Sequence, residues 1–202
     1  MSASIGGFIL VGGRSSRMGT DKSTLTLEGQ TLVARVRSAL SSITSSVHLV
    51  GNSPLSNTVE PRVHDLYEGW GALGGLHASL SACRAEWAVV VACDLPFVTG
   101  SLFSRLAALR QGFEAVAPIQ SDTIPQPLCA LYRVDPCLGR AIELIESGER
   151  RPIALLQSVK TRWVTFEELS DLKGSKNFFD NINTPSDYVR ARAKGGSSQA
   201  KG

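Results

Sequence analysis

Arg14, Arg17, Asp21 and Lys22 fall within a short stretch that follows Gly12-Gly13, and those glycines end the apolar run Phe8-Ile9-Leu10-Val11. A buried strand opening into a glycine-rich, cationic loop is suited to hold phosphate. Glycine lets backbone N–H groups approach an anion, and the basic side chains neutralise its charge. Two common phosphate loops are excluded by spacing. A Walker-type loop needs glycine directly before Lys-Ser, whereas Lys22-Ser23 follows Asp21. The dinucleotide fingerprint needs Gly-x-Gly-x-x-Gly, whereas the glycine after Gly12-Gly13 is Gly19. The loop therefore binds phosphate in some third way.

Carboxylates and amides follow other apolar runs. Asp94, in Ala92-Cys93-Asp94-Leu95-Pro96, ends the run that begins at Trp87. A carboxylate at the end of a buried strand that faces a phosphate loop is a natural Mg²⁺ ligand. Pro96 prevents an immediate helix and leaves Asp94 at the rim; its alternative is a turn or helix-capping role. Asn52 follows Val47–Val50 and either reads a base or ribose edge or serves as a turn residue. Asp65, after Arg62–His64, divides in the same way between ligand and turn. His64 and His77 read as surface or packing residues. No His/Cys cluster has metal-ligand spacing, and no nucleophilic triad is evident.

The elements that must position these residues alternate between strand and helix patterns. Ile5–Val11, Val47–Val50, Trp87–Cys93, Ala115–Pro118, Leu128–Tyr132 and Trp163–Phe166 read as strands, with a short candidate around Arg62–His64. Leu32–Leu40, Leu73–Cys83, Leu102–Leu109, Cys137–Glu146 and Ser186–Ala193 read as helices, the third capped by Thr99 or Ser101. The alternation predicts an α/β domain, three-layer α/β/α with a mostly parallel sheet. Ligands in such folds lie beyond the carboxyl ends of the strands, so the residues that follow strands 1, 2 and 4 should converge. Residues 1–193 read as one domain without repeat or linker, and 194–202 as a disordered tail.

Composition narrows the classes. The chain has 202 residues, 43% hydrophobic and 19% charged, with a net charge of +3. No basic stretch offers a nucleic-acid footprint, and the longest apolar runs are far short of a membrane span. No basic segment precedes the first apolar run, so no signal peptide and a cytoplasmic protein are expected. Cys83, Cys93, Cys129 and Cys137 form no Cys-x-x-Cys pair and sit in apolar settings, so they read as buried reduced thiols.

The spacing Gly12-Gly13-x-Ser15-x-Arg17-Met18-Gly19-x-Asp21-Lys22 resembles the signature loop of nucleotidyltransferases that join a nucleoside monophosphate to a phosphorylated acceptor. It is most similar to that of the molybdenum cofactor guanylyltransferases. The resemblance runs from Phe8 to about Val189, and Asp180-Asn-Ile-Asn-Thr-Pro-Ser-Asp187 strengthens the molybdenum branch. Leu55–Arg62 shows no clear match, and the placement of Asp65 depends on aligning across it.

The resemblance implies a Rossmann-like nucleotidyltransferase domain. It would transfer GMP from GTP to the phosphate of a molybdopterin-type cofactor, with Mg²⁺ and release of pyrophosphate. Leu10, Val11, Gly12, Gly13, Asn52 and Asp65 would contact the nucleotide. Lys22, assisted by Arg17 and Arg14, would meet the phosphates, and Asp94 would bind the metal. Gln126–Arg133 and Gly148-Glu-Arg150-Arg151, with Asn181 and Asn183, would lie toward the acceptor. Arg150-Arg151 reads equally as a solvated helix terminus. The second segment reads equally as a turn in which Thr184 caps a helix and Pro185 occupies its first position. Transient contact with cofactor-handling proteins is also implied. The alternatives are CTP as donor, a sugar or polyol phosphate as acceptor, or a nucleotide-binding module without turnover. Having both Lys22 and Asp94 speaks against the last.

Overall fold

In a computed structural model that describes residues 4–11, 25–51, 60–67, 69–121 and 123–196, the chain runs as follows. Strand β1 (Ile5–Leu10) precedes a hairpin of β2 (Thr26–Leu27) and β3 (Gln30–Thr31), then helix α1 (Leu32–Leu40), β4 (Val47–Val50), β5 (Arg62–Val63) and α2 (Gly71–Ala82). Next come β6 (Trp87–Ala92), α3 (Gly100–Ala108), β7 (Ala115–Pro118), β8 (Cys129–Arg133), α4 (Val134–Glu146), α5 (Ile153–Ser158), β9 (Thr161–Val164) and α6 (Pro185–Gly196).

The strand sequences explain the layers. Successive side chains of a strand point to opposite faces, and here both faces are apolar. Ile9, Val89 and Val91 join Val33, Val36 and Leu40 of α1 and Leu102, Phe103 and Leu106 of α3 in one core. Phe8, Leu10, Ala88 and Val90 join Leu73, Leu76 and Leu80 of α2 and Ala141 and Ile145 of α4 in the other. The result is the expected three-layer α/β/α domain.

The seven-stranded sheet has the order β5-β4-β1-β6-β8-β7-β9. The β1–β4, β1–β6, β4–β5 and β7–β9 pairs are parallel, so the sheet is mostly parallel. β8 alone runs against its neighbours, pairing antiparallel with β6 and β7. That reversal matters for the site: α4, which follows β8, climbs toward the carboxyl edge of the parallel strands rather than away from it.

Several boundaries differ from the sequence reading. α4 begins at Val134 rather than Cys137, because Pro136 is tolerated in a first helical turn. The last helix extends to Gly196, so the tail expected to begin at residue 194 is still helical there. Lys194 reaches Asp180 and Asn177, which gives that last turn an anchor. Residues 197–202 lie outside the described residues. The hairpin and α5 carry too few residues to show a period. Glu28 and Gly29, with φ of 51° and 78°, make the left-handed two-residue turn that closes β2 on β3. All four cysteines are buried thiols outside any disulfide, as expected.

Candidate active site

Four strands end together at one edge, and the backbone ladder continues past them. The N–H of Val11 donates to the Val50 carbonyl (2.8 Å), that of Gly51 to Val63 (3.1 Å) and that of Cys93 to Leu10 (3.1 Å). The N–H of Ile182 then donates to the carbonyl of Asp94 (3.0 Å). Residues distant in sequence are thereby fixed within one row: Val11, Gly51, Asp94 and Ile182. The ends of β1, β4 and β6 thus meet at this edge, at Val11, Gly51 and Asp94. Among the expected nucleotide-binding or catalytic residues, Gly12, Gly13, Arg17, Lys22 and Asn52 lie outside the described residues.

Asp94 is half-buried in a turn closed by the N–H of Leu95 on the Ala92 carbonyl (3.3 Å). It does not cap the following helix. Thr99 does, its hydroxyl accepting from the N–H of Leu102 (3.3 Å), which removes one of the alternatives for Asp94. Asp65 follows β5. A Cβ added to Gly75 in α2 would meet Leu10 at 3.3 Å and the Oδ1 of Asp65 at 3.7 Å, so these three residues are neighbours. Oδ1 of Asp65 is buried, with no hydrogen-bond partner among the described residues. Burial pushes this carboxyl above its ordinary range, opposed by the nearby His64. A buried acceptor of this kind is ordinarily satisfied by a donor from water or a ligand, or by an ion.

The C-terminal segment alternates in exposure: Asn181 is exposed, Ile182 buried and Asn183 exposed. Ile182 plugs into a small cluster with Leu27, Leu32 and Ala191. Its flanking asparagines are thus presented beside Asp94, whose carbonyl Ile182 holds. Thr184 accepts from the N–H of Asp187 (3.1 Å), and Asp187 accepts from the N–H groups of Asn183 (3.0 Å) and Thr184 (2.8 Å). This reciprocal cap explains the Thr-Pro sequence as a helix start, and it involves the backbone of Asn183, not the side chains of Asn181 and Asn183.

The structure divides Arg150 from Arg151. Arg150 crosses to the start of α2, where it donates to the Gly69 carbonyl (2.9 Å) and lies 4.7 Å over the Trp70 ring. This places it on the same edge as Asp65. Arg151 forms a two-point pair with Glu149 (3.0 and 2.7 Å), and Glu149 also accepts from the N–H groups of both arginines. Those bonds to Arg151 and the two amides hold the Glu149 carboxyl down at about 2. With its pKa lowered, Glu149 supports this loop at every pH above its ordinary range and loses that effect only as pH falls through about 2. A carboxyl titration followed by NMR should place its midpoint near 2; a midpoint near 4.5, its unshifted value, would mean the loop is not held this way.

Sequence reasoning missed two contributors. Gly51 stands at φ +117°, and a Cβ there would lie 2.1 Å from the Val11 carbonyl oxygen, so only glycine fits. Its signal was a glycine at the exit of a buried strand. Trp70, which carries Arg150, had no local signal. His77 is buried against the Tyr67 ring (4.9 Å), and His64 is exposed. Among the described residues, no group of three or more His, Cys, Asp or Glu could hold a metal ion.

Comparison with known proteins agrees with this geometry. Residues 7–161 match the family described as the MobA-like NTP transferase domain. A probable molybdenum cofactor guanylyltransferase of Pelotomaculum thermopropionicum is 32% identical over 191 residues, covering 92% of this chain and 91% of the relative. One from Bacillus cereus is 27% identical over 194 residues, covering 92% and 94%. The crystal structure of molybdopterin-guanine dinucleotide biosynthesis protein A from Archaeoglobus fulgidus superposes with a TM-score of 0.80 at 27% identity, covering 95% of this chain and 98% of that one. The matched region runs from the first strand through Asp65 and Asp94 to the start of the last, and with that extent the chain belongs to the MobA-like NTP transferase domain family and is a nucleotidyltransferase.

Proposed function

We propose that the protein transfers GMP from GTP to the terminal phosphate of a molybdopterin-type cofactor and releases pyrophosphate. The observation that carries this reading is the bond between Ile182 and Asp94 (3.0 Å). It brings a segment with two exposed asparagines against the backbone of Asp94, the residue that follows the central strand. A donor site at Leu10, Val11 and Asp65 and an acceptor site at Asn181 and Asn183 would then flank Asp94. The names of the relatives at 27–32% identity support the choice of substrates.

The residues fit a Mg²⁺ ion. Mg²⁺ is commonly held by one or two carboxylates together with substrate phosphates and water, so the half-buried rim carboxylate of Asp94 is a sufficient protein contribution. When bound, the ion would neutralise negative charge on the phosphates. The acceptor phosphate is already a nucleophile, so the protein's task is positioning and charge neutralisation. Lys22, with Arg17, would balance the charge of the departing pyrophosphate. Oδ1 of Asp65 would accept from a nucleoside N–H or O–H. Arg150 and the amides of Asn181 and Asn183 would orient the acceptor, whose pterin edge presents donors and acceptors.

The deciding assay supplies the four nucleoside triphosphates one at a time with molybdopterin and Mg²⁺ and follows pyrophosphate release. GTP should be the productive donor, and chelation of the metal should stop turnover. Preference for CTP, or turnover only with a sugar or polyol phosphate, would replace this reading. Changing both Asn181 and Asn183 to alanine should reduce cofactor conversion and leave the GTP dissociation constant nearly unchanged. Equal weakening of GTP, or a sharp fall in Tm, would return both residues to a structural role. Among the described residues, no helix is long and apolar enough to cross a membrane.

A further inference from the structure

Beyond the two cores that cover the sheet lies a third, small one. Leu27, Leu32, Ile182 and Ala191 are buried in it, with Leu25, Phe97 and Tyr188 packed against them. Its members come from three separate places: the hairpin region, the turn after Asp94, and the C-terminal segment made of Ile182 and α6. None lies in either sheet-covering core.

α6 is tied down on both sides of this cluster. The Tyr188 hydroxyl donates to the Thr26 carbonyl (2.7 Å), at the first residue of the hairpin. One helical turn further, Ala191 is buried, and Lys194 reaches Asn177 (3.0 Å) and Asp180. The start of the helix is fixed by the reciprocal Thr184–Asp187 cap. The hairpin is itself held at its base, where the N–H of Leu32 donates to the Leu25 carbonyl (3.0 Å). α6 therefore joins the hairpin, at the Thr26 carbonyl, to the segment whose Ile182 holds Asp94.

We propose that α6 is a clamp and that Tyr188 is a positioning residue for nucleotidyl transfer, holding the hairpin at Leu25–Thr31 in register with Asp94. For its activity readout this rests on the function proposed above. In the proposed reaction Asp94 and the asparagines on either side of Ile182 act on one phosphate chain at once, and this cluster is what seats Ile182. A small relative displacement should weaken their joint action in the transition state more than it weakens either contact to the ground state. A group that acts this way lowers kcat and leaves KM nearly unchanged.

The test compares the unaltered protein, Tyr188→Phe, and a protein with p-aminophenylalanine in place of Tyr188. The last restores an N–H donor toward the Thr26 carbonyl. Tyr188→Phe should lower kcat about three- to tenfold, the range expected for one lost hydrogen bond, with KM for GTP changed by less than about twofold. The amino analogue should recover most of the loss. In parallel, the amides of Leu32 and Ile182 should exchange with solvent faster in Tyr188→Phe and return toward normal with the analogue. Unchanged kcat, a loss the analogue does not restore, or unaltered amide exchange would each overturn the clamp. Should the unaltered protein turn over no nucleoside triphosphate, the proposed reaction would fall, and the amide exchange would still decide the clamp.

Discussion

Asp94→Asn is expected to lower nucleotidyl transfer by on the order of 100-fold or more while leaving the fold intact. The fold should survive for a specific reason. A contact through which this residue holds the C-terminal segment is its backbone carbonyl, which accepts from Ile182 and is untouched by the change. The side chain is half-buried at a rim, outside all three apolar clusters, and asparagine has nearly the same shape. What is lost is a negative charge beside a proposed Mg²⁺. A catalytic metal contributes several kcal/mol of charge stabilisation, and each ~1.4 kcal/mol is a factor of ten in rate. Pyrophosphate release at saturating GTP, beside a thermal melt, checks both halves. Full activity in a folded protein would remove the metal assignment. A large fall in Tm would make Asp94 a structural turn residue instead.

The largest stability effect is expected at Gly51. Gly51→Ala should cost at least about 3 kcal/mol, because two penalties add: a backbone conformation that side chains rarely adopt, and overlap with a neighbour that cannot yield. The neighbour is the Val11 carbonyl oxygen, 2.1 Å from where the Cβ would sit. Tm should fall by roughly 6–12 °C for a chain of this size. Gly112→Ala is the matched control. Its φ is +80°, but nothing lies within 4 Å of the added Cβ, so only backbone strain of about 1 kcal/mol should appear. Similar losses at both positions would show that the close approach to Val11 is relieved by a small shift. A much larger loss at Gly51 would show that the strand ends at this edge are rigid. Because Val11 immediately precedes the glycine loop, a surviving Gly51→Ala protein should also bind GTP more weakly.

The layers and the strands that carry the site were legible in the sequence. Periodicity is a local property: Phe8-Ile9-Leu10-Val11 and Trp87–Ala92 are apolar on both faces, and chain of that pattern must be covered by helices on both sides. Thr99 and Thr184 announced their helix starts for the same local reason, since a hydroxyl there meets an N–H three residues on. The place of Asp94, at the exit of such a strand, was legible for the same reason.

The hairpin and α5 left no trace in the pattern. The hairpin strands of two residues each and the six-residue α5 are held by what they touch, not by their own propensity. The pairing of Arg151 with Glu149 follows from neighbouring residues. The crossing of Arg150 to Trp70 does not: it depends on β8 running antiparallel, so that α4 ends beside the start of α2. The sequence treats these arginines as one basic patch, and the tertiary structure gives one to a local carboxylate and the other to the active edge. Likewise, nothing in Asn181-Ile182-Asn183 indicates that its central amide closes on Asp94, which lies 88 residues earlier by position (182 − 94). Patterns of side chains decide which face of an element is buried. Which distant elements then become neighbours is decided by backbone hydrogen bonds that any residue type but proline can donate, and those leave no mark in the sequence.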